Sequence, residues 1–228
     1  MNYSYPPSEH QWRSSVNQII YSLISSITVS IASGILSFLL PASFISQTTT
    51  IIFAVLVYLG LFGWYFVALA NFSYLMLRGI DIRGTSKILF AYGIILLGSF
   101  AFPVFAWLLG DAIVQSPVAL IIVGLLPIII CLMVQILMLV GYKELCSSPT
   151  FNVECKKGFN SLKMSCLINM VSVFVYAISV FVNIPVLLLG IISLALFIVS
   201  IVLVVTGWLK VRENCPYRDL EYGQSLIF

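Results

Sequence analysis

The fold of this chain is decided by the stretch "DAIVQSPVALIIVGLLPIIICLMVQILMLVGYKEL", residues 111–145. Between its aspartate and its first lysine the stretch carries no charged residue. Its apolar part, 117–142, exceeds the roughly 20 residues that a helix needs to cross the hydrocarbon core of a bilayer. Ser116 and Pro117 are suited to the N-cap and the first position of a helix. The stretch therefore predicts a membrane-spanning helix that runs from a short turn to a basic linker.

The composition of the whole chain agrees with this local pattern. Of the 228 residues, 61% are hydrophobic and 8% are charged, and the mean hydropathy is +1.11. Because a soluble domain carries about 25% charged residues, so few charges cannot cover a water-soluble surface. The net charge of +3 is no nucleic-acid signal, and the five cysteines form neither a C-x-x-C pair nor a disulfide framework. The class predicted is a polytopic membrane protein.

Apolar stretches of spanning length recur along the chain. We predict an all-α integral membrane bundle of six transmembrane helices within residues 16–211. A disordered cytoplasmic arm, 1–15, precedes the bundle, and a short cytoplasmic tail, 212–228, follows it. The six predicted spans are 17–40, 49–77, 87–109, 117–142, 160–182 and 185–209.

The positions of the basic residues predict the orientation. All 11 Lys and Arg fall in the N-terminal arm, in the linkers 78–87 and 143–163, or after residue 209. None falls in the alternate turns near 41–48, 110–116 and 183–184. Basic residues of short loops stay on the cytoplasmic side of a membrane. We therefore expect both termini to be cytoplasmic, in the plasma or inner membrane of the cell.

The same cations predict a lipid partner. They form a basic collar that should attract anionic headgroups of the cytoplasmic leaflet by about 1 kcal/mol per residue near the surface. The collar comprises Arg78, Arg83, Lys87, Lys143, Lys156, Lys157, Lys210 and Arg212. On the opposite side, Asp111 is expected in an outer turn, where it either starts a helix or attracts cations to the mouth of a pathway.

Two predicted helices carry a stripe of small polar residues. The candidates are Ser22, Ser26, Ser30, Ser33 and Ser37 in the first segment, and Ser165, Asn169, Ser172, Tyr176 and Ser179 in the fifth. Their spacing of three or four residues places each set on one helix face. Such a stripe suits close helix packing, in which hydroxyl and amide groups bond across the contact. It also suits the wall of a pathway for a neutral polar solute.

A weak internal repeat accompanies the spans. Segments two, four and six end in the similar words "LMLRG" at 75–79, "LVGYKEL" at 139–145 and "VVTGWLK" at 204–210. Segments three and five begin with "RGTSK" at 83–87 and "KGFNSLK" at 157–163. This pattern predicts three helical hairpins of the same sense.

The residue types that are missing from the spans restrict the function. The predicted spans contain no Asp, Glu, His or Arg, which disfavours proton-coupled carriers and membrane hydrolases. We expect no enzyme activity, cofactor or metal. One remaining hypothesis is a membrane scaffold or assembly partner that associates through its polar helix faces, with itself or with another membrane protein. The alternative is a channel or facilitator for a small neutral or weakly charged solute, lined by the two stripes.

Overall fold

A computed structural model describes residues 8–39, 60, 63–73, 84–95, 97–98, 117–149, 151–181 and 186–214. Every regular element in these ranges is helical, which confirms the predicted all-α class. The helices are α1 (Glu9–Leu39), α2 (63–73), α3 (Gly84–Ile95), α4 (Pro117–Ser147), α5 (Val153–Phe181) and α6 (Val186–Glu213). The start of α4 at Pro117 is the one that the sequence predicts.

Three segments of the described chain are long and apolar enough to cross a membrane. They are Ile128–Ser147 in α4, Val153–Val175 in α5 and Ile191–Glu213 in α6. The described part of α3 is a shorter apolar helix. The predicted span 49–77 lies mostly outside the described residues.

Two helices begin earlier than predicted, because polar caps extend them beyond the apolar spans. At the start of α1, Ser8 N–H donates to Gln11 Oε1 at 3.1 Å, and Gln11 N–H donates to Ser8 Oγ at 3.3 Å. This reciprocal pair is a capping box, so residues 9–15 are helical and do not belong to a disordered arm. At the start of α5, Asn152 Oδ1 accepts the N–H of Cys155 at 2.8 Å. Hydropathy does not register such caps, which is why the predicted starts are late.

Contacts between successive helices arrange the bundle as a ring. The Tyr65 hydroxyl of α2 donates to the Tyr92 hydroxyl of α3 at 3.0 Å. Lys87 of α3 forms an ion pair with Glu144 of α4. Helix α4 packs against α5, and α5 packs against α6. The ring closes where α6 packs against α1.

The ring closure brings the two ends of the described chain together. The indole N–H of Trp12, in the first turn of α1, donates to the carbonyl oxygen of Val211, near the end of α6, at 2.9 Å. The Trp12 ring also lies 5.1 Å from the Phe72 ring of α2 and 6.3 Å from the Phe151 ring before α5. We call this end of the bundle, where α1, α3 and α5 begin and α4 and α6 end, the basic end.

Two pairs of glycines lie at helix crossings near the basic end. A Cβ atom added to Gly84 would lie 2.7 Å from the carbonyl oxygen of Gly141, and one added to Gly141 would lie 2.7 Å from the carbonyl oxygen of Gly84. The same reciprocal approach joins Gly158 and Gly207, at 2.8 and 3.0 Å. No side chain fits at these distances. Small residues therefore let the backbones of α3 and α4, and of α5 and α6, touch directly.

The glycine crossings predict a position-dependent effect of adding one methyl group. Replacing Gly207 with Ala should destabilise the bundle by about 1–3 kcal/mol, because the new Cβ overpacks the crossing. The matched variant Gly98→Ala adds the same group where nothing lies within 4 Å. It should be neutral or slightly stabilising, since Ala favours helix more than Gly does. The measurement is the midpoint of thermal unfolding in detergent, and equal midpoints for the two variants would contradict the assigned crossing.

Candidate functional site at the basic end

The centre of the basic end is filled by aromatic side chains. The aromatic cluster consists of Trp12, Phe72, Phe151, Phe159 and Trp208, each at most 3% exposed. Phe72 packs edge-on against Trp208 with ring centroids 5.4 Å apart, and Phe151 packs edge-on against Phe159 at 5.0 Å. Tilted and edge-to-face pairs of this kind add about 0.5–1.5 kcal/mol each beyond the burial of their area. The cluster joins α1, α2, α5 and α6 through rings that are shielded from solvent.

The two glycine crossings share one register, which extends the repeat seen in the sequence. In each hairpin the Cβ contact of a glycine reaches the residue four positions after its partner: Leu145 after Gly141, and Val211 after Gly207. The reverse contacts reach Ile88 after Gly84 and Leu162 after Gly158. The hairpins α3–α4 and α5–α6 are therefore built on the same antiparallel crossing.

The first hairpin follows the same register with different small residues. Lys87 and Glu144, which pair across α3–α4, each stand three positions after a crossing glycine. In α1–α2 the corresponding bond joins Asn71 Nδ2 to Gln18 Oε1 at 3.3 Å. Counting back three positions gives Ser15 and Ala68, which are 6% and 0% exposed. By this count, these small residues correspond to Gly84 and Gly141 of the second hairpin.

Residues 75–79, the part of the predicted repeat that ends the second segment, lie outside the described residues. In the register set by Asn71, the position that corresponds to Gly141 and Gly207 is Ala68. Alanine is the smallest residue after glycine, so this hairpin also carries a small residue there.

The described parts of the two polar stripes face the interior. Ser22 and Ser165 are 0% and 2% exposed, whereas Phe174 and Ile178, on the back of α5, are 52% and 50% exposed. Each buried serine hydroxyl donates to a carbonyl oxygen of its own helix: Ser22 to Ile19 at 2.8 Å and Ser165 to Leu162 at 2.6 Å. Ser26 does the same toward Ser22, at 2.7 Å. Asn169 and Ser172 are half-buried.

Other candidate residues lie outside what the structure describes. The side chains of Ser30, Ser33, Ser37, Tyr176 and Ser179 belong to this group, as do the whole residues Arg78, Arg83 and Asp111. Of the basic collar, Lys143, Lys157 and Lys210 are exposed, and Lys156 and Arg212 are half-buried. Lys87 differs from these, because it is paired with Glu144 inside a hairpin.

The exposed side chains at the basic end can bind groups of opposite charge. Lys157 Nζ lies 2.5 Å from Glu154 Oε1 one turn away, and both side chains are more than half exposed. An exposed ion pair of this kind contributes about 1 kcal/mol or less to stability, so both side chains can still pair with other charged groups. Within the described ranges, no three His, Cys, Asp or Glu side chains are grouped so that they could hold a metal ion.

The polar stripes and the basic collar do not include the residues that determine the crossings. These residues are Gly84, Gly141, Gly158 and Gly207, each of which stands beside a basic, polar or aromatic residue. The signal that could have found them is a small residue followed four positions later by a buried aliphatic side chain. It recurs as Ser15 with Ile19, Gly84 with Ile88 and Gly158 with Leu162.

The shared register predicts a crosslink in the first hairpin. With the five native cysteines replaced, Ser15→Cys together with Ala68→Cys should form a disulfide on mild oxidation, because crossing backbones bring such positions within the roughly 4–7 Å that a disulfide needs between Cα atoms. The measurement is loss of both maleimide-labelling sites in membranes. The control pair Ser14→Cys and Ala68→Cys should stay labelled, since Ser14 is exposed on the next helix face. Equal crosslinking of the two pairs would refute the register.

Comparisons of the chain with protein families, curated proteins and solved structures return no match. The contacts, burial and charges of this chain are therefore the only guide to its function.

Proposed function

We propose that the chain is an integral membrane protein that crosses the bilayer six times, with both termini on the cytoplasmic side of the plasma or inner membrane. Three described segments are long and apolar enough to span a membrane. Trp12 and Val211, which lie near the two ends of the described chain, meet at one end of the bundle, and this supports an even number of crossings between these two residues. Exposed apolar side chains such as Val171 and Phe197 then face the lipid. The collar faces the anionic leaflet.

We further propose that the chain acts as a membrane scaffold or assembly partner and has no enzymatic activity. The aromatic cluster at the basic end is the single observation that carries this proposal. The rings of Trp12, Phe72 and Trp208 are buried and pack in series, with centroids 5.1 and 5.4 Å apart, which supports a packed core at this end of the bundle over an aqueous route. A core of this kind suits a rigid body that positions partners.

The polar stripes fit the same proposal. The hydroxyls of Ser22 and Ser165 donate to carbonyl oxygens of their own helices, so their single donors are already used and a passing solute would find only their acceptor lone pairs. Their small size instead permits close approach of neighbouring helices, as at the glycine crossings. The half-buried Asn169 and Ser172 remain as groups that can bond across a helix contact, within the bundle or to a partner.

The alternative, a channel or facilitator for a small neutral solute, needs a continuous wet cavity along the stripes. A route along Ser165 and Asn169 would meet the aromatic cluster at the basic end, and opening it would expose buried indole and phenyl surface. We therefore rank the scaffold above the channel, and the two differ in a measurable way.

Thiol accessibility distinguishes the two functions. In a cysteine-free background, Asn169→Cys should resist a water-soluble thiol reagent added from either side of the membrane, because a packed interior excludes water. The control Lys157→Cys, which replaces an exposed residue of the same helix, should react fully from one side. Rapid labelling of Asn169→Cys would contradict the scaffold and favour the channel.

Assembly provides a second readout of the same proposal. Asn169→Leu should reduce the mass of the complex extracted in mild detergent, because it removes an amide that bonds across a helix contact, at about 0.6–2 kcal/mol for each lost bond. Val171→Leu alters a 51% exposed position of the same helix and should leave the mass unchanged. A complex mass that is the same for the wild type and Asn169→Leu, measured by light scattering, would count against the stripe as a contact surface.

A further inference from the structure

A groove lies on the outside of the basic end, along the seam where α1 meets α6. Its volume is about 400 Å³, and its walls include His10, Arg13, Asn17, Gln18 and Arg212. The residues from α1 stand on successive turns of one helix face, and Arg212 stands across the seam on α6. The groove is therefore an open depression lined largely by polar and basic residues, two of which are arginines.

We propose that this groove binds the phosphate of an anionic phospholipid headgroup. Guanidinium groups hold phosphate oxygens with charge-assisted, two-pronged hydrogen bonds, and the Asn17 and Gln18 amides supply further donors. Glu9 Oε1 lies 2.6 Å from Arg13 Nη2 and engages that arginine from the preceding turn. Because a guanidinium carries five N–H donors, Arg13 keeps donors for a ligand.

The internal register allows the groove to be compared with the corresponding place between α4 and α5. Counted from the crossings, Arg13 corresponds to Lys156 and Arg212 corresponds to Cys146. At the seam between α4 and α5, the Cys146 thiol contacts the carbonyl oxygen of Lys156 at 3.7 Å. The equivalent place between α6 and α1 is instead framed by two cations around a depression. The α6–α1 seam therefore carries two cations where the α4–α5 seam carries one.

The surface next to the groove suits the rest of a lipid molecule. The groove face of α1 continues through Tyr21 to Ile24, which are 58% and 46% exposed. The matching face of α6 continues from Arg212 toward Val202 and Ile198, which are 53% and 52% exposed. An amphiphile with its phosphate in the groove can lay its acyl chain along these apolar side chains. This continuity of a cationic groove with an apolar face favours a lipid over a soluble anion.

The site rests on the proposed membrane orientation, which brings the basic end to the anionic leaflet, and does not depend on the scaffold role. The test uses the full chain in neutral detergent, with phosphatidylglycerol and phosphatidylcholine as probes and binding measured by native mass spectrometry. The wild type should retain phosphatidylglycerol selectively. The double variant Arg13→Gln/Arg212→Gln should weaken that binding by about tenfold or more, since it removes both charge-assisted contacts.

A matched double variant separates a site from general attraction. Lys157→Gln/Lys210→Gln removes the same charge from exposed positions at the same end and should change phosphatidylglycerol binding by no more than about twofold. Asn17→Leu, which replaces an amide donor of the groove with an apolar side chain and removes no charge, should also weaken binding. Equal losses in both double variants would overturn the site and leave only the diffuse collar.

Two further measurements identify the ligand and separate lipid binding from assembly. If inorganic phosphate alone competes as well as phosphatidylglycerol does, the lipid assignment is overturned in favour of a soluble anion. The complex mass of Arg13→Gln/Arg212→Gln should equal that of the wild type, whereas Asn169→Leu should lose mass and keep its lipid. Loss of lipid selectivity and loss of assembly are thus observed in different variants.

Discussion

The direct contact of helix backbones at the basic end is the constraint on which the rest of the structure depends. In a bilayer, the lipid is as apolar as a leucine side chain, so burial of apolar surface gives helices little reason to associate. Close approach replaces that missing force with van der Waals contacts along the backbone. At Gly84–Gly141 and Gly158–Gly207 the approach is so close that even one Cβ would collide with a carbonyl oxygen. The crossings therefore fix the register of both hairpins.

The ring closure between α1 and α6 converts these hairpins into one body. Trp12 donates to Val211 and packs on Phe72 and Phe151, so it joins α1 to α2, to the start of α5 and to α6. A buried indole N–H needs such an acceptor, since its loss in a nonpolar interior costs about 1–3 kcal/mol. The closure also places the start of α1 beside the end of α6. The proposed scaffold function and the proposed lipid site both rest on this shared end.

Much of the helix arrangement is predictable from the sequence, because hydropathy identifies the apolar segments that must be removed from water. The start of α4 at Pro117 and the buried Ser22 and Ser165 agree with patterns that are visible in the letters. The early start of α1 and the exact partners at the crossings do not, since they depend on caps and on the spacing of small residues. The α1–α6 seam could not be predicted at all. Its residues are separated by almost the whole chain, and no local pattern joins Arg13 to Arg212.

The central claim is that all hairpins open in the same direction, with their basic ends gathered at one face of the membrane. The most direct test labels three sites in sealed vesicles of known orientation: a tag on the N-terminus, a cysteine in place of the exposed Asn152 between α4 and α5, and a tag on the C-terminus. The account predicts that all three react only from the cytoplasmic side. Reaction of any one of them from the opposite side would contradict it.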